Sequence, residues 1–207
     1  MSTESLALGR LDTLTPEQHE ILSQFKIQLG DEGFYDPTAH DDHLLLRFLR
    51  ARKFDLEASK KMWIDKEKWA LEYGVKDLMN SIDFPEYPVV KNYYPRYYHK
   101  TDKLGRPIYI EHIGALDVTK LLNVTTVERM LRHHVYEYEK LGRYRLPACS
   151  AKAGKYLEQS CTILDFNGAQ IMQFTSNYSI MQQVSSLAQN YYPETLGKMY
   201  CFLCQVY

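Results

Sequence analysis

Ser160 and Thr162 stand two residues apart inside an otherwise largely apolar run, 156–164. On a strand that spacing puts both hydroxyls on one face. Hydroxyls within an apolar strand need hydrogen-bond partners. Backbone or water is the plain answer, and a ligand phosphate is the sharper one. A second group is basic. Between Leu44 and Ala70, lysines and arginines outnumber carboxylates by eight to four, and Arg52 and Lys53 are adjacent within that stretch. Such a segment is either an anion-binding surface or a helical face joined by internal ion pairs. A third group is aromatic. Tyr87, Tyr93, Tyr94, Tyr97, Tyr98 and Tyr109 put six tyrosines in 23 residues. Each ring has an apolar body and a hydroxyl tip, which suits a half-wet pocket rim as well as ordinary packing.

Other constellations carry no chemistry. The chain has no G-x-G-x-x-G, no G-x-x-x-x-G-K-[ST], no G-x-S-x-G and no H-E-x-x-H. His133-His134 with Glu137 fall on one predicted helix without further ligands at metal spacing, and read as a solvated helix face. Cys201 and Cys204 form a C-x-x-C with no second pair. Positions three apart on a strand point to opposite faces, a poor geometry for a shared metal. No catalytic residue, metal or cofactor is expected.

The elements that position these residues follow from caps and periodicity. Residues 1–14 are polar and aperiodic and read as a disordered tail. Thr15, Pro16 and Gln18 open a helix carrying Ile21, Leu22, Phe25 and Leu29, closed near Gly30 and Gly33. Asp41 or Asp42 caps a second helix, and a third follows Asp55 and stops near Gly74. The prolines and tyrosine of 84–88 mark a boundary. Residues 106–111 predict a strand after the turn Asp102–Gly105. Thr125 with Glu128 predicts a helix to about Arg145, with Pro147 beyond it. Residues 156–164 predict a second strand, Tyr178 to Leu187 a helix, and 199–207 a third strand. Strands alternating with helices indicate an α/β fold. The organisation is a tail (1–14), a helical N-terminal subdomain (15–80) and an α/β domain (85–207).

Composition bounds the class. Of 207 residues, 45% are hydrophobic, 25% are charged, and the net charge is −1. A polybasic nucleic-acid binder is excluded as a whole-chain description. No apolar run reaches the ~18 residues of a membrane-spanning helix. The first residues lack a signal peptide's charged and apolar regions, and four cysteines in a chain of this kind argue for reduced cytosolic thiols.

Four ordered motifs, Leu45–Asp55, Tyr97–Pro107, Tyr144–Ser150 and Gln189–Glu194, closely resemble fungal phosphatidylinositol/phosphatidylcholine transfer proteins of the Sec-fourteen-like, CRAL-TRIO family. The resemblance runs from about residue 18 to about Tyr200. It implies a small helical N-terminal subdomain followed by an α/β lipid-binding domain whose apolar pocket takes one phospholipid. It further implies phosphatidylinositol and phosphatidylcholine transfer between membranes, supporting phosphoinositide supply and Golgi secretion. The implied protein is cytoplasmic, peripheral at Golgi or endosomal membranes, a monomer if complete, and not an enzyme. Residue by residue, the resemblance implies that Arg52 and Lys53 meet the inositol phosphate head group. It implies that Ser160, Thr162, Tyr98 and Tyr109 meet the phosphatidylcholine head group, and that Glu194 takes part in head-group recognition. Ala188 stands where the family has a serine in the choline site, and Thr195 where an arginine follows the glutamate. Beyond Tyr200 the family continues into further strands, a gate helix and a lysine of the inositol site. Here Cys201–Tyr207 replaces that continuation, so a C-terminally shortened, incomplete lipid domain is expected. The alternative is a truncated, non-transferring variant acting as a protein-interaction module, or an inactive product.

Overall fold

The computed structural model describes residues 9–81, 83–169 and 178–202. It divides into two units, Met1–Gly74 and Val75–Tyr207. The first is helical. Helix α1 (Pro16–Asp31) starts as its sequence requires: Gln18 N–H donates to Thr15 Oγ1 at 3.3 Å, and Thr15 N–H to Gln18 Oε1 at 3.1 Å. Asp41 caps α2 (Asp42–Ala51) and Asp55 caps α3 (Leu56–Tyr73), accepting from Leu44 N–H at 2.7 Å and Ala58 N–H at 2.9 Å. Gly74 ends α3 in the left-handed region, φ 70°. Leu22, Phe25 and Leu29 of α1 meet Leu45, Leu46, Phe48 and Leu49 of α2 around Trp63 of α3, all buried. Trp63 makes T-shaped contacts with Phe25 and Phe48 and donates Nε1–H to the Phe34 carbonyl at 2.8 Å. Of the stretch read from sequence as a tail, Leu11–Thr13 form a short 3-10 turn. Leu11 and Leu14 rest on this core, and Arg50 donates to the Gly9 carbonyl at 3.1 Å. Residues 1–8 lie outside the described residues.

The second unit is built on a sheet in the order β1-β2-β3-β4: β1 (Arg96–Thr101), β2 (Pro107–His112), β3 (Ser160–Asp165) and β4 (Leu196–Phe202). Strands β1 and β2 form an antiparallel hairpin, and β2–β3 and β3–β4 are parallel. The hairpin turn is set by Asp102, which accepts from Leu104 N–H and Arg106 N–H and from the Arg106 guanidinium, with Gly105 at φ 89°. The parallel pairs need long crossovers. They are supplied by α6 (Val118–Leu122), α7 (Val127–Lys140) and α8 (Leu146–Ala153) before β3, and by α9 (Tyr178–Tyr191) before β4. Helices α4 (Val75–Ser81) and α5 (Tyr87–Tyr93) precede the sheet.

The α/β class stands, and several elements differ from their sequence expectation. Residues 96–101, for which the sequence predicts no strand, are strand β1; the hairpin turn at Asp102 pairs them with β2. The second expected strand begins at Ser160 rather than Tyr156. Thr126, not Thr125, caps α7, because the Thr125 hydroxyl donates instead to Glu86 at 3.1 Å. Pro147 lies within the first turn of α8, reached from α7 through a π-helical turn at Leu141–Arg145. Proline fits there because its missing N–H would have no helical partner.

Candidate functional site

Sheet register assembles four of the expected residues. Tyr98 pairs with Tyr109, and Tyr109 with Thr162. Register partners share a face, so these three side chains form one row across β1, β2 and β3, and Ser160 lies on the same face two residues before Thr162. The Tyr98 and Tyr109 rings are 5.2 Å apart. Burial pushes both phenols well above their ordinary range, so both remain neutral and can donate. The Arg145 guanidinium lies 4.2 Å from the Tyr98 ring centroid. It is held by Glu137, which accepts from Nη2 at 2.7 Å. The π-helical turn makes this contact possible, since it carries Arg145 back toward Glu137 on the preceding helix.

The two hydroxyls are both buried but not equivalent. Ser160 Oγ–H points to the Thr195 carbonyl at 3.3 Å, which also accepts Ser160 N–H at 2.8 Å. Among the described residues Thr162 Oγ1 has no hydrogen-bond partner, which leaves it available to a ligand. Glu194 is exposed, in the turn between α9 and β4, with φ 60°. It immediately precedes the Thr195 carbonyl that receives Ser160.

Arg52 and Lys53 lie in the first unit, in the turn between α2 and α3. Both are exposed. Arg52 Nη1 donates to the Ala51 carbonyl at 3.3 Å, and neither residue has a carboxylate partner among the described residues. Other cations of the basic stretch are paired internally: Lys60 with Glu32 and Glu57, Lys61 with Asp65, Lys66 with Glu67. Lys53 and Phe54 both adopt positive φ, 53° and 62°. Two successive non-glycine residues in this region store strain of order 1–3 kcal/mol each, the kind of strain that clusters at binding turns.

A buried polar cluster escaped sequence reasoning. His133 and His134 are not a solvated helix face. His133 is buried, and both Nδ1 atoms lie against Arg96, at 3.4 Å for His133 and 3.1 Å for His134. His133 also stacks on Tyr87 at 4.4 Å and makes a T-shaped contact with Phe84. Burial, reinforced by the Arg96 charge, pushes both imidazoles down to about 3. Tyr94, buried under the Arg96 guanidinium, donates its hydroxyl to Glu111. The signal in the sequence is an arginine within a tyrosine-rich strand, but nothing local ties it to a helix nearly forty residues away. Glu137, read together with the two histidines, instead serves Arg145. Among the described residues no group of three or more His, Cys, Asp or Glu could hold a metal. Cys201 is exposed, and Cys204 lies outside the described residues. No described helix is long and apolar enough to cross a membrane.

Comparison with known proteins agrees with this frame. Residues 10–65 match the CRAL/TRIO N-terminal domain and residues 91–204 the CRAL/TRIO domain. The SEC14 cytosolic factor of Kluyveromyces lactis is 50% identical over 192 residues, 93% of this chain and 62% of that protein. The Sec14 cytosolic factor of Schizosaccharomyces pombe is 46% identical over 200 residues, covering 97% and 69%. The Arabidopsis thaliana phosphatidylinositol/phosphatidylcholine transfer protein SFH7 is 37% identical over 200 residues, covering 96% and 37%. The chain thus spans about three fifths of the length of the Kluyveromyces relative. The crystal structure of Sfh5 superposes with a TM-score of 0.66 at 16% identity, over 90% of this chain and 70% of that one, a likeness of fold alone.

Proposed function

The chain belongs to the CRAL/TRIO family, and on that premise we propose that it binds phosphatidylinositol and phosphatidylcholine and carries them between membranes. The reading includes support of phosphoinositide supply and Golgi secretion, by a cytoplasmic protein that docks peripherally. Residues 15–80 act as the helical subdomain and 85–207 as the lipid domain. The observation that carries it is the row Tyr98–Tyr109–Thr162 with Ser160, four polar tips on one sheet face.

The mechanism is exchange, with no bond made or broken. Acyl chains leave the bilayer for a protein environment of similar polarity, so their transfer is nearly neutral. The phosphate is the expensive part to desolvate, and it is compensated by hydroxyl and charge-assisted hydrogen bonds. Thr162 Oγ1 and the neutral phenols of Tyr98 and Tyr109 supply donors. The choline cation packs on tyrosine faces. Arg145 already covers one face of Tyr98, so Tyr109 is the better-placed ring. Arg52 and Lys53 take the inositol phosphate, with Glu194 contributing to head-group choice. No cofactor enters this reading.

The test is to purify the chain, load it from mixed vesicles, extract it and weigh the bound lipid by mass spectrometry, then follow transfer between labelled vesicles. One phospholipid per chain is expected, recovered unchanged. A chain that takes up no phospholipid, or that hydrolyses it, would sink the reading.

A further inference from the structure

Arg96 opens β1, and strand alternation places it on the same sheet face as Tyr98, about 7 Å further along. It is buried, and a guanidinium does not give up its proton in a protein. A buried charge needs partners, and ordinarily a counter-charge. Three part-buried arginines of this unit have one: Arg106 pairs with Asp102, Arg129 with Glu86 and Arg145 with Glu137. Arg96, buried more deeply, forms no ion pair among the described residues. Glu111, its register partner on β2, takes the hydroxyl of Tyr94, and the guanidinium lies over the Tyr94 ring at 4.5 Å.

What Arg96 has instead is a pair of imidazoles. Its Nη1 faces His134 Nδ1 at 3.1 Å and its Nη2 faces His133 Nδ1 at 3.4 Å. Arginine only donates, so both Nδ1 atoms accept and both rings are neutral with their protons on Nε2. The imidazoles fix the direction of the guanidinium, and the nearest negative charge, Glu111, reaches it only through Tyr94. One of the imidazoles adds an excess donor: His134 Nε2 is buried with no hydrogen-bond partner among the described residues. The cluster therefore has an N–H group with no acceptor among the described residues.

We propose that Arg96, aimed by His133 and His134, is a phosphate-binding residue that takes an oxygen of the phospholipid head-group phosphate seated beside the Tyr98–Tyr109–Thr162 row. The inference rests on the lipid reading above. A free phosphate ion offers the same chemistry, so the experiment has an arm for each source.

Arg96→Gln keeps a donor and removes the charge. The wild type and R96Q are loaded from vesicles of phosphatidylcholine and phosphatidylinositol, and separately of diacylglycerol with the same acyl chains. Bound lipid is weighed, and Tm is measured with and without millimolar inorganic phosphate. R96Q is expected to hold at least about tenfold less phospholipid, the size expected when charge-assisted hydrogen bonds are lost. Its diacylglycerol uptake should stay within about twofold of the wild type, a split that a purely structural arginine would not produce. Equal phospholipid binding by R96Q overturns the proposal and leaves the lipid reading intact. A wild type that binds no phospholipid removes the lipid reading, and the phosphate arm then decides. A phosphate-dependent rise in Tm that R96Q lacks keeps Arg96 as a site for free phosphate, and no rise overturns it. If R96Q does not fold, the ring-proton NMR signals of His133 and His134 in the wild type report instead. They should shift on phospholipid loading and not on diacylglycerol loading, and identical spectra overturn the proposal.

Discussion

Thr162 and Ser160 share a strand face but not a role, because Ser160 already has the Thr195 carbonyl. Thr162→Val removes a hydroxyl that has no partner among the described residues while keeping the β-branched shape. A hydrogen bond to a charged phosphate contributes roughly 1.5–3 kcal/mol. Phosphatidylcholine bound to T162V should therefore fall by about tenfold or more, and that bound to S160A by no more than about threefold. Equal losses would show that Ser160 turns from Thr195 to the ligand. The histidines set a pH dependence. Their folded values of about 3 lie below the ordinary 6.5, so between those limits the unfolded chain binds more protons than the folded one. Stability is then full above about pH 6.5 and declines as pH falls toward 3. His40, also lowered by burial, acts in the same direction. Glu86, held at about 2 by its hydrogen bond to Arg129, adds its own loss only below about pH 4.5. Denaturant midpoints measured from pH 7.5 to 5 should fall steadily, with a shallower slope in His133→Asn. A flat midpoint would mean the rings take up protons as readily in the fold as in the unfolded chain. The shared face of the hydroxyls was legible because strand period is two. The Arg96 cluster was not, because burial of those two histidines depends on the packing of α7 and β1, which no local pattern encodes.

At the scale of elements, the turn between α2 and α3 sets stability against binding. Lys53 at φ 53° adopts a conformation that disfavours a residue with a Cβ. Lys53→Gly should raise unfolding stability by about 1 kcal/mol in denaturant titration while lowering phosphatidylinositol loading. A loss of stability would mean the lysine stem packs more than it strains. The loop after β2 is tighter still. A Cβ on Gly114 would stand 1.8 Å from the Asn167 carbonyl oxygen and 2.5 Å from its carbon. Both are backbone atoms, so neither can swing aside. Gly114→Ala should destabilise by about 3 kcal/mol or more, read as a lower denaturant midpoint. A midpoint within error of the wild type would show that the loop at Asn167 gives way. Helix starts at Thr15, Asp41 and Asp55 and the stop at Gly74 were legible because each is a local hydrogen-bond or backbone requirement. Strand β1 was hidden because Arg96, His99 and Lys100 interrupt its apolar alternation, and the partner that makes it a strand lies across a turn. The α7–α8 junction was hidden because Pro147 reads as a stop, whereas the π-helical turn lets it begin a new helix.

For the whole molecule, the two units differ in how completely they bury themselves. The first closes a core around Trp63. In the second, β4 is the edge of the sheet among the described residues, and Leu196, Met199, Tyr200 and Phe202 are each 43–55% exposed. Residues on both faces of the strand are involved, since Met199 and Tyr200 alternate. The strand-like character of this stretch was legible from its composition, but its exposure was not, because sequence alone does not say what lies over a strand. An apolar edge strand offers unpaired backbone groups and a sticky side-chain row together, the combination that promotes pairing between chains. The 207-residue chain is therefore expected to self-associate as concentration rises, seen as growing scattering and a heavier sedimenting species. Phe202→Lys puts a charge at the most exposed of these positions. It should return the chain toward a single monomeric species without lowering Tm by more than about 2 °C, since an exposed side chain contributes little to the fold. The same variant separates two uses of the strand. If its phospholipid loading equals that of the wild type, the edge is outside the lipid site. If loading falls while Tm holds, Phe202 lines the acyl-chain path. Association undiminished by the charge would place the self-contact elsewhere and overturn the assignment to β4.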